Sequence, residues 1–130
     1  MVDSHEEDCP FCLCNADQRL VVEHGTVFAI LDKYPVTDGH HLIVPKRHVV
    51  DYFEMSDVER RDAEALLLVL KDKVLKGDST VQGFNVGINC GEVAGQTVMH
   101  AHIHLIPRRV GDVEDPRGGV RGCVPGKMGY

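Results

Sequence analysis

Three histidines at alternate positions, His100, His102 and His104, form the densest group of chemically active side chains in the sequence. In a β-strand, alternate residues lie on one face of the sheet, so the three imidazoles would share a face. In a helix, residues with this spacing would be scattered around the circumference. The pattern therefore predicts a strand that ends near Pro107, with its imidazoles facing outward and its interleaved apolar residues packed on a core.

Two chemistries use several imidazoles on one strand. In the first, two or three imidazoles hold a catalytic zinc ion that keeps an open position for water. In the second, one neutral imidazole attacks phosphorus while its neighbours orient it and bind the anion. The preceding loop, GEVAGQTV at 91–98, offers glycine backbone N–H groups, the Gln96 amide and the Thr97 hydroxyl to phosphate oxygens. The loop favours phosphorus chemistry, and the spacing alone is compatible with both.

A CPFC pair, Cys9 and Cys12, lies near the amino terminus and belongs to a set of five cysteines. The odd number, together with an acidic start that lacks the regions of an export signal, argues against a disulfide framework. A thioredoxin-like redox pair is expected at a strand-to-helix junction of a βαβ unit, and no such pattern precedes this pair. Half of a zinc site is therefore favoured over a redox pair.

The composition narrows the class of partner. A chain of 130 residues fits one domain with a real core. The net charge of -6 and the absence of tryptophan argue against a general nucleic-acid surface, which needs a basic stripe. The sequence has no apolar run of membrane length. We expect a small-molecule partner, neither nucleic acid nor membrane as a partner, and a cytoplasmic location.

Three short strands are predicted before any helix. Residues 20–23 and 27–31 are β-rich runs on either side of a His-Gly pair, which is typical of a hairpin. Residues 41–44 form a buried apolar run that Pro45 stops.

The clearest helix begins after Ser56, which forms a capping box with Glu59, and ends at Gly77. Its apolar residues are expected to pack on the sheet; they include Val58, Ala65, Leu66, Val69 and Leu70. A strand at 84–89 and the histidine strand complete the order β-β-β-α-β-β. This order predicts an α+β domain with an antiparallel sheet.

Several blocks together resemble the histidine triad (HIT) superfamily of nucleotide hydrolases and transferases. HAHIHLI at 100–106 resembles its His-x-His-x-His signature, and AILDKYPVTDGHHLIVPKRH at 29–48 resembles its first conserved block. The stretch NCGEVAGQTVMHAHIHLIPRRVGD at 89–112 is most similar to the fragile histidine triad branch, the dinucleoside polyphosphate hydrolases. The resemblance implies a homodimer with a five-stranded antiparallel sheet and one main helix per subunit.

The resemblance covers the chain from about residue 9 to residue 112. It divides the sequence into a flexible acidic tail at 1–8, a HIT domain at 9–112 and a carboxy-terminal extension at 113–130.

The resemblance also implies roles for individual residues. His102 would attack the α-phosphorus of a nucleotide and form a covalent nucleotidyl-histidine, which water cleaves to release a nucleoside monophosphate. His104 would contact the phosphate or the leaving group, and His40 would support the triad from a neighbouring strand. Apolar residues such as Phe28 and Ile30 would supply the base pocket. The implied substrate-binding residues are Asp32 at the ribose and Asn89, Gly95, Gln96, Thr97, Val98 and His104 at the phosphate and leaving group.

For the CPFC pair, the resemblance implies a structural zinc site made by Cys9, Cys12, His48 and His100. Two sulfurs and two nitrogens form a closed tetrahedral site of the structural kind, which leaves no water on the metal. Such a site would hold the amino terminus against the histidine strand and would take His100 out of proton chemistry.

The sequence thus predicts a nucleotide hydrolase or transferase that acts at an α-phosphate through His102. The candidate substrates are dinucleoside polyphosphates and nucleoside phosphoramidates. An alternative from another class is a nucleotide-binding or scaffold protein with residual hydrolase activity. A third interpretation, hydrolytic zinc on the triad, predicts that chelation abolishes activity and that added metal restores it within seconds, whereas a structural site predicts slower loss with lower thermal stability.

Overall fold

Five strands pair into one antiparallel sheet, and one long helix packs on one of its faces. The computed structural model describes residues 8–16 and 19–130. In spatial order the strands are β1 (Leu20–His24), β2 (Val27–Leu31), β3 (His41–Pro45), β5 (Ile103–Arg109) and β4 (Val81–Gly87). The α-helices are a short α1 (Leu13–Ala16) and the long α2 (Asp57–Gly77). The predicted α+β class, the five-stranded antiparallel sheet and the single main helix are confirmed; the predicted acidic tail lies outside the described residues, apart from its last residue.

The β1–β2 hairpin turns at Gly25, which has a φ of +57° and is packed closely against α2. A Cβ atom at this position would lie 2.3 Å from a carboxylate oxygen of Asp62 on the helix. The same carboxylate accepts hydrogen bonds from the Thr26 backbone N–H at 2.8 Å and from the Thr26 hydroxyl at 2.7 Å. The turn therefore needs glycine, and Asp62 ties the hairpin to the helix.

Helix α2 begins with the predicted capping box. The Ser56 hydroxyl accepts the Glu59 backbone N–H at 3.1 Å, and the Glu59 carboxylate accepts the Ser56 backbone N–H at 2.8 Å. Glu59 is 3% exposed and also accepts a hydrogen bond from the Arg47 guanidinium at 2.7 Å. Burial would raise the pKa of Glu59, but the hydrogen bonds from Arg47 and Ser56 outweigh it, so the net shift is downward.

The buried stripe of α2 differs in part from the predicted one. Its buried residues are Glu59, Ala63, Leu66 and Leu70, a spacing of four, three and four that marks one helix face. Val58 and Val69, which we expected to pack on the sheet, each precede a stripe residue by one position. They are therefore rotated by about 100° from the stripe and lie exposed.

The sheet separates two apolar clusters. Alternate residues of β2 and β3, such as Ala29 and Ile43, pack towards α2. Their neighbours, including Phe28 and Ile30, pack on the opposite face, where the amino-terminal segment 9–16 covers them. Phe28 and Ile30 are fully buried, so neither offers surface to a nucleotide base, contrary to the expectation that they form a base pocket.

Strand β5 begins and ends later in the sequence than the predicted histidine strand. It begins at Ile103 and continues through Pro107 to Arg109. The residues before it bond to a loop instead of a strand, since the Ala101 N–H donates to the carbonyl of Val49 at 2.8 Å. Pro107 does not end β5. The strand continues there in pairing with β4, opposite Phe84, whereas its pairing with β3 stops at Leu105.

The carboxy-terminal segment after β5 forms a short 3-10 helix at Gly119–Cys123 that contacts β4. Arg121 donates hydrogen bonds to the carbonyls of Lys127 and Gly129, which holds the end of the chain against this turn. Among the described residues, neither α-helix has the length and apolar character needed to span a membrane.

Candidate active site

The three histidines meet on the sheet face opposite α2, but they do not face outward freely. His100 is fully buried and His102 is 8% exposed. The Phe11 ring covers His102 edge-on, with the ring centroids 4.8 Å apart. His104 lies beside His102, with the ring centroids 5.2 Å apart. The amino-terminal segment thus encloses the imidazoles that the alternating pattern predicted to be exposed.

The backbone sets the proton position on His102. Its Nδ1 atom lies 2.9 Å from the carbonyl oxygen of His100. A carbonyl oxygen only accepts, so Nδ1 carries the hydrogen and the neutral ring keeps a lone pair on Nε2. Burial lowers the pKa of His102, and this effect exceeds the opposing influence of the His100 carbonyl and of Asp32. The side chain therefore presents an unprotonated, nucleophilic Nε2.

His40 and His104 form a second pair with fixed proton positions. The Val36 backbone N–H donates to His40 Nδ1 at 3.1 Å, so the neutral His40 ring carries its hydrogen on Nε2. This Nε2 lies 2.9 Å from His104 Nδ1 and 3.3 Å from an Asp32 oxygen. Because His104 Nδ1 accepts, the neutral His104 ring carries its own hydrogen on Nε2, which is the arrangement of a hydrogen-bond donor to substrate.

Both members of this pair favour the neutral form. Burial lowers the pKa of His104 to about 4, with further lowering by the neighbouring His102 and His40. Burial also lowers the pKa of His40, although the Asp32 carboxylate opposes the shift. Asp32 is thus brought into the site, where one of its oxygens accepts the Tyr34 backbone N–H at 2.8 Å and the other faces His40.

The loop before β5 places its predicted residues in two environments. Asn89, Gly95 and Thr97 are exposed, and Gly95 has a φ of +96°, which favours glycine. The Asn89 side chain lies close to Gly95: its Nδ2 atom is 3.8 Å from the position that a Cβ atom of residue 95 would take. Val98 is half-buried and packs against the cluster under the amino-terminal segment.

Gln96 differs from its predicted role as a phosphate contact, because its side chain faces inward and is 1% exposed. Its amide nitrogen donates to the carbonyls of Val50 at 2.6 Å and Val98 at 3.0 Å. Its amide oxygen accepts the Gly91 backbone N–H at 2.8 Å. Both amide hydrogens are already used, so Gln96 holds the loop in shape and a phosphate would have to break these bonds.

The four predicted metal ligands, Cys9, Cys12, His48 and His100, come together, and their ligand atoms all lie within 4.8 Å of one another. His100 Nδ1 is 3.3 Å from Cys9 Sγ and 3.1 Å from His48 Nδ1. Cys12 Sγ is 3.3 Å from His48 Nδ1. Nitrogen and sulfur ligands of a tetrahedral zinc ion lie roughly 3.3–3.8 Å apart, so the donor set fits zinc with little movement.

The proton position on His100 also suits a metal. Its Nε2 lies 2.8 Å from the carbonyl oxygen of Pro45, so Nε2–H donates and the Nδ1 lone pair faces the cysteines. Burial lowers the pKa of His100 to about 4, against the opposing effect of the Pro45 carbonyl. The ring is therefore neutral and ready to ligate.

A second group of residues, Asp32, His40 and His104, has spacing that would suit a cation. Its proton positions differ from those of the first cluster. The neutral His40 ring carries hydrogen on the nitrogen that faces the group, because Val36 occupies the other nitrogen. A protonated nitrogen donates and does not ligate, so this group is better described as a hydrogen-bonded chain than as a metal site.

Several groups that shape the site cannot be recognised from the amino-acid sequence. The Val36 N–H and the carbonyls of His100 and Pro45 are backbone groups, which every residue carries. Phe11 lies inside the CPFC pair, and its position between two predicted ligands is the only clue to its place over His102.

Comparison with known proteins identifies the family to which this chain belongs. A model of the HIT domain matches residues 14–111. A 16.1 kDa HIT-like protein of Mycoplasma pneumoniae is 38% identical over 106 residues, which are 78% of this chain and 72% of that protein. An AP-4-A phosphorylase of Mycobacterium tuberculosis is 39% identical over 99 residues, or 74% of this chain and 50% of the phosphorylase. A nitrilase and fragile histidine triad fusion protein of Caenorhabditis elegans is 42% identical over 94 residues, or 71% of this chain and 20% of the fusion.

Solved structures agree with the sequence matches. A HIT family protein of Bacillus anthracis is 36% identical, with a TM-score of 0.73 over 82% of this chain and 77% of the other. A zinc-bound histidine triad family protein of Mycobacterium smegmatis is 32% identical, with a TM-score of 0.72 over 81% of this chain and 78% of the other. The resemblance inferred from the sequence blocks is confirmed, and the chain belongs to the HIT-domain family.

Proposed function

We propose that this protein cleaves nucleotides at the α-phosphate through a covalent nucleotidyl-histidine on His102. The observation that carries the proposal is the hydrogen bond from His102 Nδ1 to the His100 carbonyl, which leaves a lone pair on Nε2 beside the donor His104. The names of two relatives, an AP-4-A phosphorylase and a fragile histidine triad fusion, support nucleotide processing in general.

The proposed reaction has two steps. In the first, the Nε2 lone pair of His102 forms a bond to the α-phosphorus, and the bond from phosphorus to the leaving group breaks with its electron pair on the leaving group. His102 keeps its Nδ1 hydrogen on the His100 carbonyl. In the second step, water attacks phosphorus, the electron pair of the N–P bond returns to Nε2, and a water proton passes to solvent. The product is a nucleoside monophosphate.

The hydrogen-bonded pair of His40 and His104 determines which kind of leaving group the site stabilises. His104 donates a hydrogen bond through Nε2–H, but His40 has no second proton to pass on, because its Nδ1 accepts from backbone. This arrangement stabilises a leaving group that departs as an anion better than one that must take up a proton. Among the expected substrates, it favours dinucleoside polyphosphates over phosphoramidates.

Substrate contacts remain part of the proposal. Exposed Asn89, Gly95 and Thr97 would meet the phosphates, together with the half-buried Val98 and His104. Asp32 would be shared between the ribose and His40. Gln96 would act from behind the loop, by keeping its backbone in place.

The test compares AMP release from diadenosine tetraphosphate and from an adenosine phosphoramidate, with wild type and His102→Ala. We expect wild type, but not His102→Ala, to release AMP from diadenosine tetraphosphate. An alkaline denaturing quench should trap AMP on His102, because the N–P bond is stable in alkali and labile in acid. If AMP binds but neither compound is cleaved, the covalent proposal is wrong and the nucleotide-binding or scaffold alternative replaces it.

We also propose that Cys9, Cys12, His48 and His100 hold a structural zinc ion. When bound, this metal would cross-link the amino-terminal segment to His48 and to His100 in the segment before β5, and would contribute folding free energy. The zinc-bound relative of Mycobacterium smegmatis supports this assignment. Thiol ligands require reduced cysteines, which supports the expected cytoplasmic location.

A homodimer is proposed through β4. This strand is one of the two edges of the sheet, and an edge strand is a ready template for another strand. The 3-10 helix at Gly119–Cys123 contacts part of β4. Val86 of β4 is 48% exposed and lines a groove of about 600 Å³ against α2, together with the apolar Leu67 and Ile88.

We also propose that residues 9–112 form the functional domain and that residues 113–130 are its carboxy-terminal extension.

A further inference from the structure

The turn between β2 and β3 packs on the far end of β5, beyond the residues where β3 and β5 pair. The Thr37 hydroxyl donates to the carbonyl oxygen of Pro107 at 2.7 Å. The Arg109 guanidinium donates to the carbonyl oxygen of Asp38 at 2.9 Å. The close approach requires Gly39, which has a φ of +90° and whose Cβ position would be 3.2 Å from the Pro107 ring. Two hydrogen bonds therefore hold this turn to a strand some 70 residues away.

The same turn supplies the backbone group that sets the proton on His40. The Val36 N–H donates to His40 Nδ1, and the His40 N–H donates to the Thr37 carbonyl at 3.2 Å. Val36 is itself exposed, so its side chain contributes little to the position of its N–H. The position of the Val36 N–H therefore depends on the next two residues, Thr37 and Asp38, which the hydrogen bonds to Pro107 and from Arg109 hold in place.

Arg109 is itself held in place on its other side. Its guanidinium donates to Asp78 Oδ2 at 2.8 Å and to Thr80 Oγ1 at 3.1 Å. Hydrogen bonds from Arg109 and Thr80 lower the pKa of Asp78 to about 2, so the ion pair persists at neutral pH. The turn is thus anchored through Arg109 to the segment between α2 and β4.

We propose that Thr37 and Arg109 are positioning residues that fix the tautomer of His40 and, through it, the hydrogen that His104 offers to the leaving group. Only the last element, the leaving group, rests on the proposed function. The tautomers belong to the free protein and are measurable without substrate.

The physical reason lies in the two tautomers of His40. With the Val36 N–H in place, Nδ1 accepts and Nε2–H points at His104. Without it, only the Asp32 carboxylate, 3.3 Å from Nε2, favours the hydrogen on Nε2. A fraction of His40 can then carry its hydrogen on Nδ1 and turn a lone pair towards His104. His104 would then place its hydrogen on Nδ1, and a lone pair on Nε2 would face the leaving group. A lone pair there repels the developing negative charge instead of stabilising it.

The test uses Thr37→Val, which keeps the shape of the side chain and removes the hydroxyl, and Thr37→Ser, which restores it. Thr26→Val is the matched control, because the Thr26 hydroxyl also donates one hydrogen bond at 2.7 Å, to Asp62 of α2 outside the site. Arg109→Lys is a second variant that keeps the charge opposite Asp78 but loses the planar fork that reaches three partners.

The first readout is the ¹⁵N chemical shifts of the histidine rings in the free protein. Wild type, Thr37→Ser and Thr26→Val should show His40 protonated at Nε2 only, whereas Thr37→Val and Arg109→Lys should show mixed protonation of His40 and His104. Unchanged ring shifts in both Thr37→Val and Arg109→Lys would overturn the proposal.

The second readout is turnover of two AMP esters, one with 4-nitrophenol and one with the more basic phenol. Thr37→Val should lower kcat for the phenyl ester by about 10-fold and for the 4-nitrophenyl ester by about twofold or less, with KM nearly constant, since a donor matters most for a basic leaving group. Equal losses for both esters would contradict the proposed link to His104. If wild type cleaves neither ester, the proposed function fails, while the ring shifts still decide whether Thr37 and Arg109 fix the tautomer of His40.

Discussion

His102 donates its Nδ1 hydrogen to the main-chain carbonyl of His100, over 2.9 Å. His100 also directs its own Nδ1 lone pair at Cys9 and His48. His100 therefore belongs to the proposed metal-ligand cluster through its side chain and orients the proposed nucleophile through its backbone. A disturbance of the cluster should reach the nucleophile through a single residue.

Removal of the nucleophile should abolish turnover without abolishing binding. His102→Ala is expected to lower kcat by at least ~10³-fold and to leave the Kd for AMP within a few-fold, because the change deletes bond formation and spares the pocket. Steady-state kinetics and calorimetric AMP binding measure the two quantities. His24→Ala, at an exposed histidine of β1, is the control. Substantial turnover by His102→Ala would disprove the covalent mechanism.

Loss of a metal ligand should destabilise the protein. Cys12→Ser is expected to remove the zinc and to lower Tm by more than about 5 °C, because the amino-terminal segment loses its cross-link to His48 and His100. Zinc content per chain and a thermal melt provide the measurements. Cys123→Ser, at an exposed cysteine outside the cluster, should change neither. A wild-type protein that purifies without zinc and does not gain stability when zinc is added would contradict the metal assignment.

Acid should weaken the fold through His104. Its pKa is about 4 in the folded protein against an ordinary value of 6.5, so between these values the unfolded chain binds a proton that the folded chain does not. The free energy of unfolding should therefore fall as the pH drops from 6.5 to 4 and level off below 4. Urea unfolding at several pH values, for wild type and His104→Asn at matched zinc occupancy, isolates this contribution. If the free energy of unfolding changes with pH in the same way in both proteins, His104 makes no such contribution.

Gln96 should matter for stability because of its inward hydrogen bonds. In Gln96→Glu, a carboxylate would meet the carbonyls of Val50 and Val98, and we expect a loss of about 2–4 kcal/mol in the free energy of unfolding. Urea unfolding at pH 7 provides the measurement. The exposed Gln82→Glu is the control and should stay close to wild type. A loss confined to phosphate affinity, with unchanged stability, would instead support the direct phosphate contact expected from the sequence.

Local sequence patterns were sufficient to predict most elements of the fold. The apolar runs around the His-Gly pair predicted the β1–β2 hairpin, and the Ser56–Glu59 box predicted the start of α2. These features depend on residues a few positions apart, which the chain holds together without help from the rest of the fold. The predicted start of β5 was wrong because His100 and Ala101 bond to Pro45 at the end of β3 and to Val49 in the following loop, and no local pattern identifies these partners.

Residue types and family blocks were likewise sufficient to identify the histidines and cysteines that meet in space. The tertiary structure decided where the protons of the histidines lie, because proton positions on imidazoles follow from their hydrogen-bond partners. Those partners are backbone groups: the carbonyl of His100 for His102, the carbonyl of Pro45 for His100 and the N–H of Val36 for His40. Every residue carries such groups, so only the folded arrangement gives the proposed metal ligand, the proposed nucleophile and the proposed hydrogen-bond donor their different proton positions.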